Sequence, residues 1–422
     1  MLTVWCGRST KNMKILLLTQ WFDPEPTLKG LVFAKELQRQ GHDVQVLTGF
    51  PNYPTGKIYP GYKLRFKQTE FIDGIEVTRV ALYPSHDSSV LKRIFNYISF
   101  AFMAALIGIF STKKADVIYA YHPPLTVGVA AIFIKFFRRT PIIYDIQDMW
   151  PDTLKATGML NNDRLLNFIS IICQQVYKYV DHIVVLSPGF KKLLINREVP
   201  ENKISVIYNW CDEEALESKT VLKDEYDQLL SDKFNLVFAG NLGKAQSLDT
   251  LINVAQNLRH NPRIQLVFVG DGTERYLLIA KVDELNLDNV VFIPRVPMSE
   301  VGGILKKADV LIVHLKDDKL FEITIPSKTQ AYMAIGKPVL MAVKGDASDI
   351  IKEAKAGAIA QPDDAESILE AINYLYHSSS SELMQMGENS KKYYIDEMSL
   401  EKSCKKFIEV FEIVIRKENS NV

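Results

Sequence analysis

The residues best suited to chemistry lie in short loops that follow hydrophobic runs of the chain. The sharpest of these loops reads FEITIPSK over 321–328 and precedes a helical stretch that ends at Gly336. A proline at the first turn of a helix leaves backbone N–H donors unpaired, and Lys328 adds a cation. Such donors at a helix amino end favour a diphosphate ligand. Glu322, just before the turn, is a candidate acceptor for ribose or sugar hydroxyls, or else a solvated loop carboxylate.

Two glycine-bearing turns precede this loop in the same half of the chain. The first is AGNLGKAQS from Ala239, and the second is VGDG from Val269. Glycines there let a nucleotide approach the backbone closely, and Lys244 is available for phosphate. Either turn alone could be simple loop punctuation, but two in neighbouring units favour nucleotide binding. The residues assigned to this donor side are Gly240, Asn241, Lys244, Gln246, Gly270, Gly272, Arg295, Ser327 and Lys328.

The first half carries a second group of polar and aromatic residues after its strand-like runs. A lone histidine is usually structural, but His122 ends a strand, where an imidazole can hydrogen-bond a hydroxyl and stabilise developing charge. The carboxylates near Asp148 suit acceptor hydroxyls or helix capping better than a metal. The aromatic loop over 49–62 suits sugar rings or lipid headgroups, or is a rigid surface loop. The residues assigned to acceptor binding are Lys29, Gly30, Asn52, Tyr53, Asp148 and Trp150, and the catalytic candidates are His122, Glu322 and Lys328.

The order of the elements predicts two α/β domains. Short β-branched runs alternate with amphipathic stretches, which is typical of parallel sheets covered by helices. A chain of 422 residues exceeds what one core usually supports. Ligands bind at the carboxyl ends of such strands, so two Rossmann-like domains would face each other across a cleft. We predict an extension over 1–12, an acceptor domain over 13–203 containing a hairpin at 66–83, a nucleotide-sugar domain over 204–395, and a helix over 396–422 packing back on the first domain.

Composition excludes several classes of protein. Lys plus Arg equals Asp plus Glu at 50 each, so no overall field would hold a polyanion, and no nucleic-acid partner is predicted. The four cysteines lie far apart without ligand-like spacing, which argues against a zinc site or a disulfide framework. We predict neither a metal nor a cofactor. A cytoplasmic location fits best.

The segment Ile94–Phe110 is the strongest candidate for membrane contact. It is mostly apolar but shorter than the roughly 20 residues of a membrane span. Three interpretations stay open: a buried helix, a helix lying in a membrane face, and a true span. Basic residues flank this segment and recur elsewhere in the first half, which favours membrane contact by that half. They are Lys63, Arg65, Lys67, Lys92, Arg93, Lys113, Lys114, Lys135, Arg138 and Arg139.

Several phrases of the sequence together resemble the retaining GT-B glycosyltransferases of family four, from Met13 to about residue 415. They are GHDVQVLTGFPNYPTGKIYPGY, DIQDMWPDTLKATGML, VIYNWCDE, GNLGKAQSLDTLI, VFVGDG and PSKTQAYMAIGKPV. They are similar to the WbuB-type branch, which resembles N-acetylfucosamine transferases of O-antigen and capsule assembly. The resemblance implies a nucleotide-sugar donor, with UDP as the expected nucleotide, and a polyprenyl-diphosphate-linked glycan acceptor. It also implies retention of anomeric configuration, no metal requirement and a peripheral place on the inner membrane.

The resemblance also implies roles for individual residues. Gly30 fits the family's acceptor-side glycine loop, His122 its sugar-contacting histidine, and Ser327 and Lys328 its diphosphate site. It implies front-face attack by an acceptor hydroxyl on the donor sugar. Stabilisation of the leaving diphosphate by helix amino ends and cations would then replace a protein nucleophile.

The chain departs from the family at charged positions. Asn241 and Gln246 stand where the family often has Arg and Lys, and Ala331 takes the second position of the E-x7-E pair. Glu322 lies one residue off register for the first position. Each missing charge would remove about 1.5–3 kcal/mol of diphosphate stabilisation if nothing replaced it. We interpret the site as a compensated variant in which Lys328 and Lys244 take over this role.

Two other functions fit the same architecture. A sugar-nucleotide 2-epimerase would need acid/base carboxylates near the sugar, and it would convert a UDP-sugar without an acceptor. A non-catalytic pseudo-transferase subunit is suggested by the substitutions at Asn241, Gln246 and Ala331. Such a subunit would bind donor without transferring it.

Overall fold

The computed structural model describes residues 12–85, 89–156, 159–217 and 222–420, and these form two compact units. The first unit comprises the chain up to Leu186, Lys191–Ile207 and the segment from Cys404 onward. The second comprises Ser187–Phe190 and Tyr208–Ser403. The extension predicted over 1–12 lies outside the described residues except for Asn12.

The first unit is built on an eight-stranded sheet. Its elements are β1 (Lys14–Leu18), α1 (Leu31–Arg39), β2 (Asp43–Gly49), β3 (Lys67–Ile72), β4 (Ile75–Val80), α2 (Val90–Phe110), β5 (Val117–His122), α3 (Thr126–Arg138), β6 (Ile142–Ile146), α4 (Asp152–Ala156), α5 (Asp163–Tyr179), β7 (His182–Val185), α6 (Pro188–Asn196) and β8 (Ile204–Val206). The strand order is β3-β4-β2-β1-β5-β6-β7-β8. All neighbours are parallel except β3 and β4, which form the predicted hairpin.

The second unit is a six-stranded parallel sheet. Its elements are α7 (Glu213–Glu217), α8 (Asp224–Leu229), β9 (Phe234–Ala239), α9 (Asp249–Leu258), β10 (Ile264–Val269), α10 (Arg275–Glu284), β11 (Val290–Ile293), α11 (Met298–Lys307), β12 (Val310–His314), α12 (Lys319–Glu322), α13 (Ser327–Ile335), β13 (Val339–Ala342), α14 (Asp346–Ala354), β14 (Gly357–Ile359), α15 (Ala365–His377) and α16 (Ser380–Tyr393). The order β11-β10-β9-β12-β13-β14 is that of the doubly wound Rossmann sheet. Its switch point, where ligands bind in such sheets, lies between β9 and β12.

Burial explains why the strands read as continuous hydrophobic runs. Every residue of β5, β6 and β10 is buried, because helices cover both faces of these parallel sheets. The edge strand β3 instead alternates between exposed and half-buried residues. The prediction of two Rossmann-like domains is therefore confirmed.

The last helix, α17 (Leu400–Ser420), groups with the first unit from Cys404 onward. The ring of Phe407 lies 5.2 Å from that of Phe33 and 5.5 Å from that of Tyr119, measured between centroids. Phe411, one turn later, lies 6.2 Å from Tyr119. The aromatic face of α17 thus completes the core beside α1 and β5.

Helix α2 is apolar on more than one face. By length and composition alone it could cross a membrane. Only 28% of its most apolar window is buried in the protein, less than expected for a core helix. Phe100 and Ala104 lie in the core, whereas Phe95 and Phe102 are exposed. The interpretation as a buried core helix therefore fits one face of α2 only.

Candidate functional site

The carboxyl ends of β9 and β10 carry the two glycine turns, which pack against each other. Gly240 has φ 141° and Gly270 has φ 136°, values at which a residue with a side chain is strained. A Cβ on Gly270 would overlap the carbonyl oxygen of Gly240, and a Cβ on Gly272 would overlap that of Leu242. These glycines are therefore required by the packing of the turns themselves, in addition to any approach of a ligand.

The amino end of α13 presents unpaired backbone donors beside these turns. Pro326 occupies the N-cap position and has no side-chain oxygen that could cap the helix. The first backbone hydrogen bond here runs from the Thr329 N–H to the Pro326 carbonyl, at 2.8 Å. The N–H groups of Ser327 and Lys328 precede it in the first turn, where a helix has no internal acceptors. The exposed Ser327 adds a hydroxyl.

Lys328 brings its ammonium group to the end of β9. Its Nζ lies 3.5 Å from the centroid of the Phe238 ring, and a Cβ on Gly240 would be 3.4 Å from it. The residue as a whole is partly exposed, but its Nζ is buried, and no described residue accepts a hydrogen bond from it. Burial lowers the pKa of Lys328 to about 7. A buried cation whose partner is one ring face lacks a counter-charge, which an anionic ligand would supply.

Tyr332 holds this part of α13 against the sheet. Its hydroxyl accepts a hydrogen bond from the Ala239 N–H at 2.8 Å and donates to the Ala239 carbonyl at 3.1 Å. It lies four residues after Lys328 and therefore on the same face of the helix. That spacing was the signal from which the sequence analysis could have identified it.

His314, at the carboxyl end of β12, is another residue that the sequence analysis missed. It is fully buried, and burial lowers its pKa. Its Nε2 accepts from the Asp363 N–H at 3.2 Å, so Nδ1 carries the proton and donates to the Gln246 carbonyl at 2.6 Å. A histidine at a strand end was the signal used for His122, and it applies equally here.

The polar residues of the first glycine turn bond mainly to one another. The side-chain oxygen of Gln246 accepts from the Gly243 N–H at 3.1 Å and from Asn241 Nδ2 at 3.3 Å. These two positions, where the family often has Arg and Lys, therefore close the turn in this conformation. Lys244 and Arg295 are exposed and keep their charges in solvent.

Glu322 ends the short helix α12, five residues before Ser327. Its side chain is partly exposed. Its backbone packs closely against Gly345, whose φ of 75° favours glycine, and a Cβ there would overlap the Glu322 carbonyl. The structure therefore fixes the backbone at this predicted catalytic position.

The first unit differs from prediction at Lys29. The side chain is fully buried and forms an ion pair with Asp145. The Tyr119 hydroxyl donates to the same carboxylate, and the Lys29 Nζ also lies 4.9 Å from the Phe407 ring centroid. Lys29 therefore joins the sheet to α17 in this conformation and does not reach the surface where an acceptor would bind.

The amino end of α1 is occupied by the protein's own carboxylate. Asp23 Oδ2 accepts a hydrogen bond from the Leu31 N–H at 2.7 Å. A Cβ on Gly30 would overlap that same carboxylate, so glycine is needed there for the cap. The amino end of α1 beside Gly30, a residue assigned to acceptor binding, is thus capped by the protein itself.

Glu25 organises the neighbouring loop, which contains two of the predicted acceptor residues. Its Oε1 accepts from the N–H groups of Asn52 and Tyr53, both at 2.8 Å, and burial raises its pKa to about 7. Asn52 is itself buried, and Asn96 donates to its side-chain oxygen at 3.3 Å. Tyr53 is partly exposed, with its ring 4.8 Å from that of Trp21. Of the two predicted residues, Tyr53 is the more accessible.

His122 and Trp150 lie together at the carboxyl ends of β5 and β6. Their ring centroids are 5.4 Å apart. His122 is 2% exposed, and burial lowers its pKa to about 3, so the imidazole is neutral. Its Nδ1 has no hydrogen-bond partner among the described residues. Burial also raises the pKa of nearby Asp148, which is partly exposed. A neutral imidazole can exchange hydrogen bonds with a hydroxyl but cannot act as a cation.

The described residues contain no group of three or more His, Cys, Asp or Glu side chains arranged to hold a metal ion. Among the described residues, Cys173, Cys211 and Cys404 are buried thiols that form no disulfide.

Family models match both units of the chain. The model for the glycosyl transferase 4-like domain matches residues 31–210, and that for glycosyl transferases group 1 matches residues 223–393. Together with the two Rossmann-like sheets, these matches identify the chain as a glycosyltransferase of the GT-B type.

Individual relatives agree with this class. WcaI of Escherichia coli K12, named for colanic acid biosynthesis, is 25% identical over 338 residues, which are 77% of this chain and 82% of WcaI. The alpha-galactosylglucosyldiacylglycerol synthase of Streptococcus pneumoniae is 30% identical over 123 residues, covering 26% of this chain and 32% of that protein.

Solved structures share the fold at low sequence identity. Anabaena HepE, solved with UDP and glucose, has a TM-score of 0.66 at 16% identity and covers 95% of this chain and 100% of its own. An Escherichia coli trehalose-6-phosphate structure with UDP-2-fluoro glucose has a TM-score of 0.71 at 11% identity, covering 94% and 98%.

Proposed function

We propose that this glycosyltransferase is a retaining enzyme that moves a sugar from a nucleotide diphosphate to a lipid-linked glycan. The proposed nucleotide is UDP, the sugar an N-acetylated deoxyhexose, and the pathway O-antigen or capsule assembly. The observation that carries the proposal is the buried ammonium of Lys328, which has no hydrogen-bond acceptor among the described residues and belongs to the first turn of α13. The UDP bound to Anabaena HepE and the polysaccharide named for WcaI support the choice of substrates.

The proposed chemistry is electrostatic. The donor diphosphate accepts hydrogen bonds from the Ser327 and Lys328 N–H groups and from the lysine ammonium. These donors bind it more tightly as the bond to the sugar carbon breaks and negative charge develops. The acceptor hydroxyl forms its bond to the same face of that carbon, and its proton passes to the departing diphosphate. His122, being neutral, serves as a hydrogen-bond partner for a sugar hydroxyl.

We place the enzyme on the cytoplasmic face of the inner membrane, bound peripherally through its first unit. Support comes from the exposed apolar residues of α2, which include Phe95 and Phe102, and from Lys92 and Lys113, which lie exposed near its two ends. An apolar helix face with basic flanks binds anionic lipid surfaces.

Lys328→Met tests the proposal, because it removes the charge and keeps most of the volume. We expect transfer to fall about 100- to 1000-fold, as for loss of one donor to a developing oxyanion. UDP should also lose its thermal stabilisation of the protein. Lys306→Met, at an exposed position on α11, is the matched control and should behave as wild type. Without ligand, Lys328→Met should be at least as stable as wild type, since it removes a buried charge.

The same assay separates the rival functions. UDP-sugars incubated without acceptor should remain unchanged, whereas an epimerase would convert them. A pseudo-transferase would bind UDP through Lys328 and transfer nothing to any acceptor in a polyprenyl-diphosphate series. Full activity of Lys328→Met would refute the diphosphate site.

A further inference from the structure

The first unit contains two apolar cavities that no residue of the proposed chemistry explains. The first, of about 360 Å³, lies between α2, α3 and α5, and Trp150, Leu154 and Phe168 are among its walls. The second, of about 440 Å³, lies between α2 and α3, with Phe102 and Phe133 among its walls. Both volumes fall within the roughly 300–1,000 Å³ of ligand pockets.

The two cavities adjoin along one line. Ile98, Thr126 and Val129 belong to the walls of both. On α2 the combined lining runs from Arg93 to Ile109, which is roughly 24 Å of helix at about 1.5 Å per residue. We call this combined space the α2–α3 groove. It is long and apolar, which suits an extended hydrocarbon chain.

The two ends of the groove differ in chemistry. One end includes Trp150, whose ring contacts that of His122 at the carboxyl edge of the sheet. Arg93 lines the same end, and its guanidinium contacts the sulfur of Met159 at 3.9 Å, a weak acceptor. The other end is lined by Ile109 and Phe133. An amphiphile with an anionic head and an apolar tail matches this polarity.

We propose that the α2–α3 groove binds the isoprenoid chain of the acceptor, with the acceptor's diphosphate beside Arg93. The inference rests on the proposed function and adds a subsite for the lipid. A bilayer phospholipid has no reason to place its head at the edge of the sheet that carries His122. An acceptor diphosphate does, because its glycan must extend toward His122, the proposed partner of a sugar hydroxyl.

The test uses farnesyl, geranyl and inorganic diphosphate as probes, with saturating UDP present to occupy the donor site. Trp150 lines the groove, so the fluorescence change that disappears in Trp150→Phe reports binding there. We expect farnesyl diphosphate to bind at least tenfold more tightly than inorganic diphosphate, with geranyl diphosphate between them. Val129→Phe, at the shared wall, should weaken farnesyl diphosphate at least tenfold and leave thermal stabilisation by UDP unchanged.

Two further variants make the test specific. Ala105→Phe narrows only the second cavity, so it should weaken farnesyl diphosphate more than geranyl diphosphate. Gln174→Phe adds the same ring at an exposed position of α5 outside the groove and should bind all probes as wild type does. If Val129→Phe does not fold, Ala105→Phe and its control Gln174→Phe still test binding in the groove.

Several outcomes would overturn the subsite. They are binding independent of chain length, wild-type binding by both Val129→Phe and Ala105→Phe, competition by phosphatidylglycerol vesicles as strong as by farnesyl diphosphate, or a dimer that these substitutions dissociate. If UDP did not raise the thermal stability of the wild-type protein, that result would instead count against the proposed function. The two failures are therefore distinguishable.

Discussion

The amino ends of α1 and α13 have similar local sequences in the two units, but they differ in whether their N–H groups and the nearby lysine have acidic partners. Each helix follows a loop after a buried strand, and each has a lysine beside its start. At α1 the Leu31 N–H is capped by Asp23, and Lys29 is paired with Asp145. At α13 the N-cap residue is Pro326, which has no side-chain oxygen to cap the helix, and the Lys328 ammonium is buried without an acceptor among the described residues.

We interpret the difference as that between a structural helix end and the proposed ligand-binding one. A buried charge is tolerated when a partner offsets the cost of its desolvation, and α1 has that partner within the chain. At α13 the Lys328 ammonium has no such partner among the described residues. Its positive charge therefore lowers the stability of the folded protein, and a bound anion would offset that loss. Preorganised donors of this kind are what stabilisation of a leaving group requires.

The largest expected effect comes from removing the buried Lys29–Asp145 ion pair beside α1. Lys29→Met leaves the Asp145 carboxylate buried without its counter-charge, and we expect a loss of about 3–5 kcal/mol in the free energy of unfolding. Urea denaturation followed by tryptophan fluorescence would measure it. Adding Asp145→Asn should recover part of the loss, because the uncompensated charge is then absent.

An exposed ion pair provides the comparison for that measurement. Lys35 and Asp73 are 2.8 Å apart with both side chains about half exposed. Lys35→Met should therefore cost less than about 1 kcal/mol. If Lys29→Met were as mild as Lys35→Met, the Lys29–Asp145 pair would not be the structural anchor described here.

The second expected effect is a pH dependence of UDP binding at the amino end of α13, caused by Lys328. Burial lowers the pKa of Lys328 to about 7, and a bound diphosphate should raise it toward the ordinary value of a lysine. Above pH 7 the free protein must therefore take up a proton on binding. The contribution of this lysine to affinity should fall about tenfold per pH unit above 7 and be constant below it. Calorimetry in buffers of different ionisation enthalpy would measure the proton uptake.

Lys328→Arg is the control for this effect, because a guanidinium stays protonated throughout the range. The variant retains the titration of UDP itself, so the difference between the two proteins isolates the lysine. Equal proton uptake by wild type and Lys328→Arg would show that the lysine does not titrate on binding.

Sequence patterns predicted the sheets well because parallel strands buried on both faces read as unbroken apolar runs. The hairpin turn at Asp73 and Gly74 was also readable, since an Asp-Gly pair favours this geometry. The strand order was not, because it depends on contacts between strands far apart in the chain. Nor could the sequence distinguish the amino end of α1 from that of α13. Lys29 has the distant carboxylate of Asp145 as its partner, whereas Lys328 has no acidic partner among the described residues.

The candidate site was readable to the extent that it is local. Pro326, Ser327 and Lys328 act through one helix end, so their neighbourhood in the sequence predicted their association. Lys29 was misread, because its partner Asp145 lies 116 residues away. His314 was missed although it ends a strand as His122 does. Its role depends on carbonyl and amide groups of two other loops.

The smallest expected effect tests whether α1 could be converted toward the state of α13. Asp23→Ala removes the cap on the Leu31 N–H and should cost about 0.5–2 kcal/mol of stability. The vacated amino end should then attract an external anion, so sulfate should stabilise Asp23→Ala more than it stabilises wild type. Asp23→Asn keeps a hydrogen-bond acceptor and should lose less stability and gain less from sulfate. Thermal unfolding with sulfate, against chloride at matched ionic strength, measures both quantities. An equal sulfate response in all three proteins would mean that α1 is not an anion site held closed by Asp23, and the contrast with α13 would then rest on Lys328 alone.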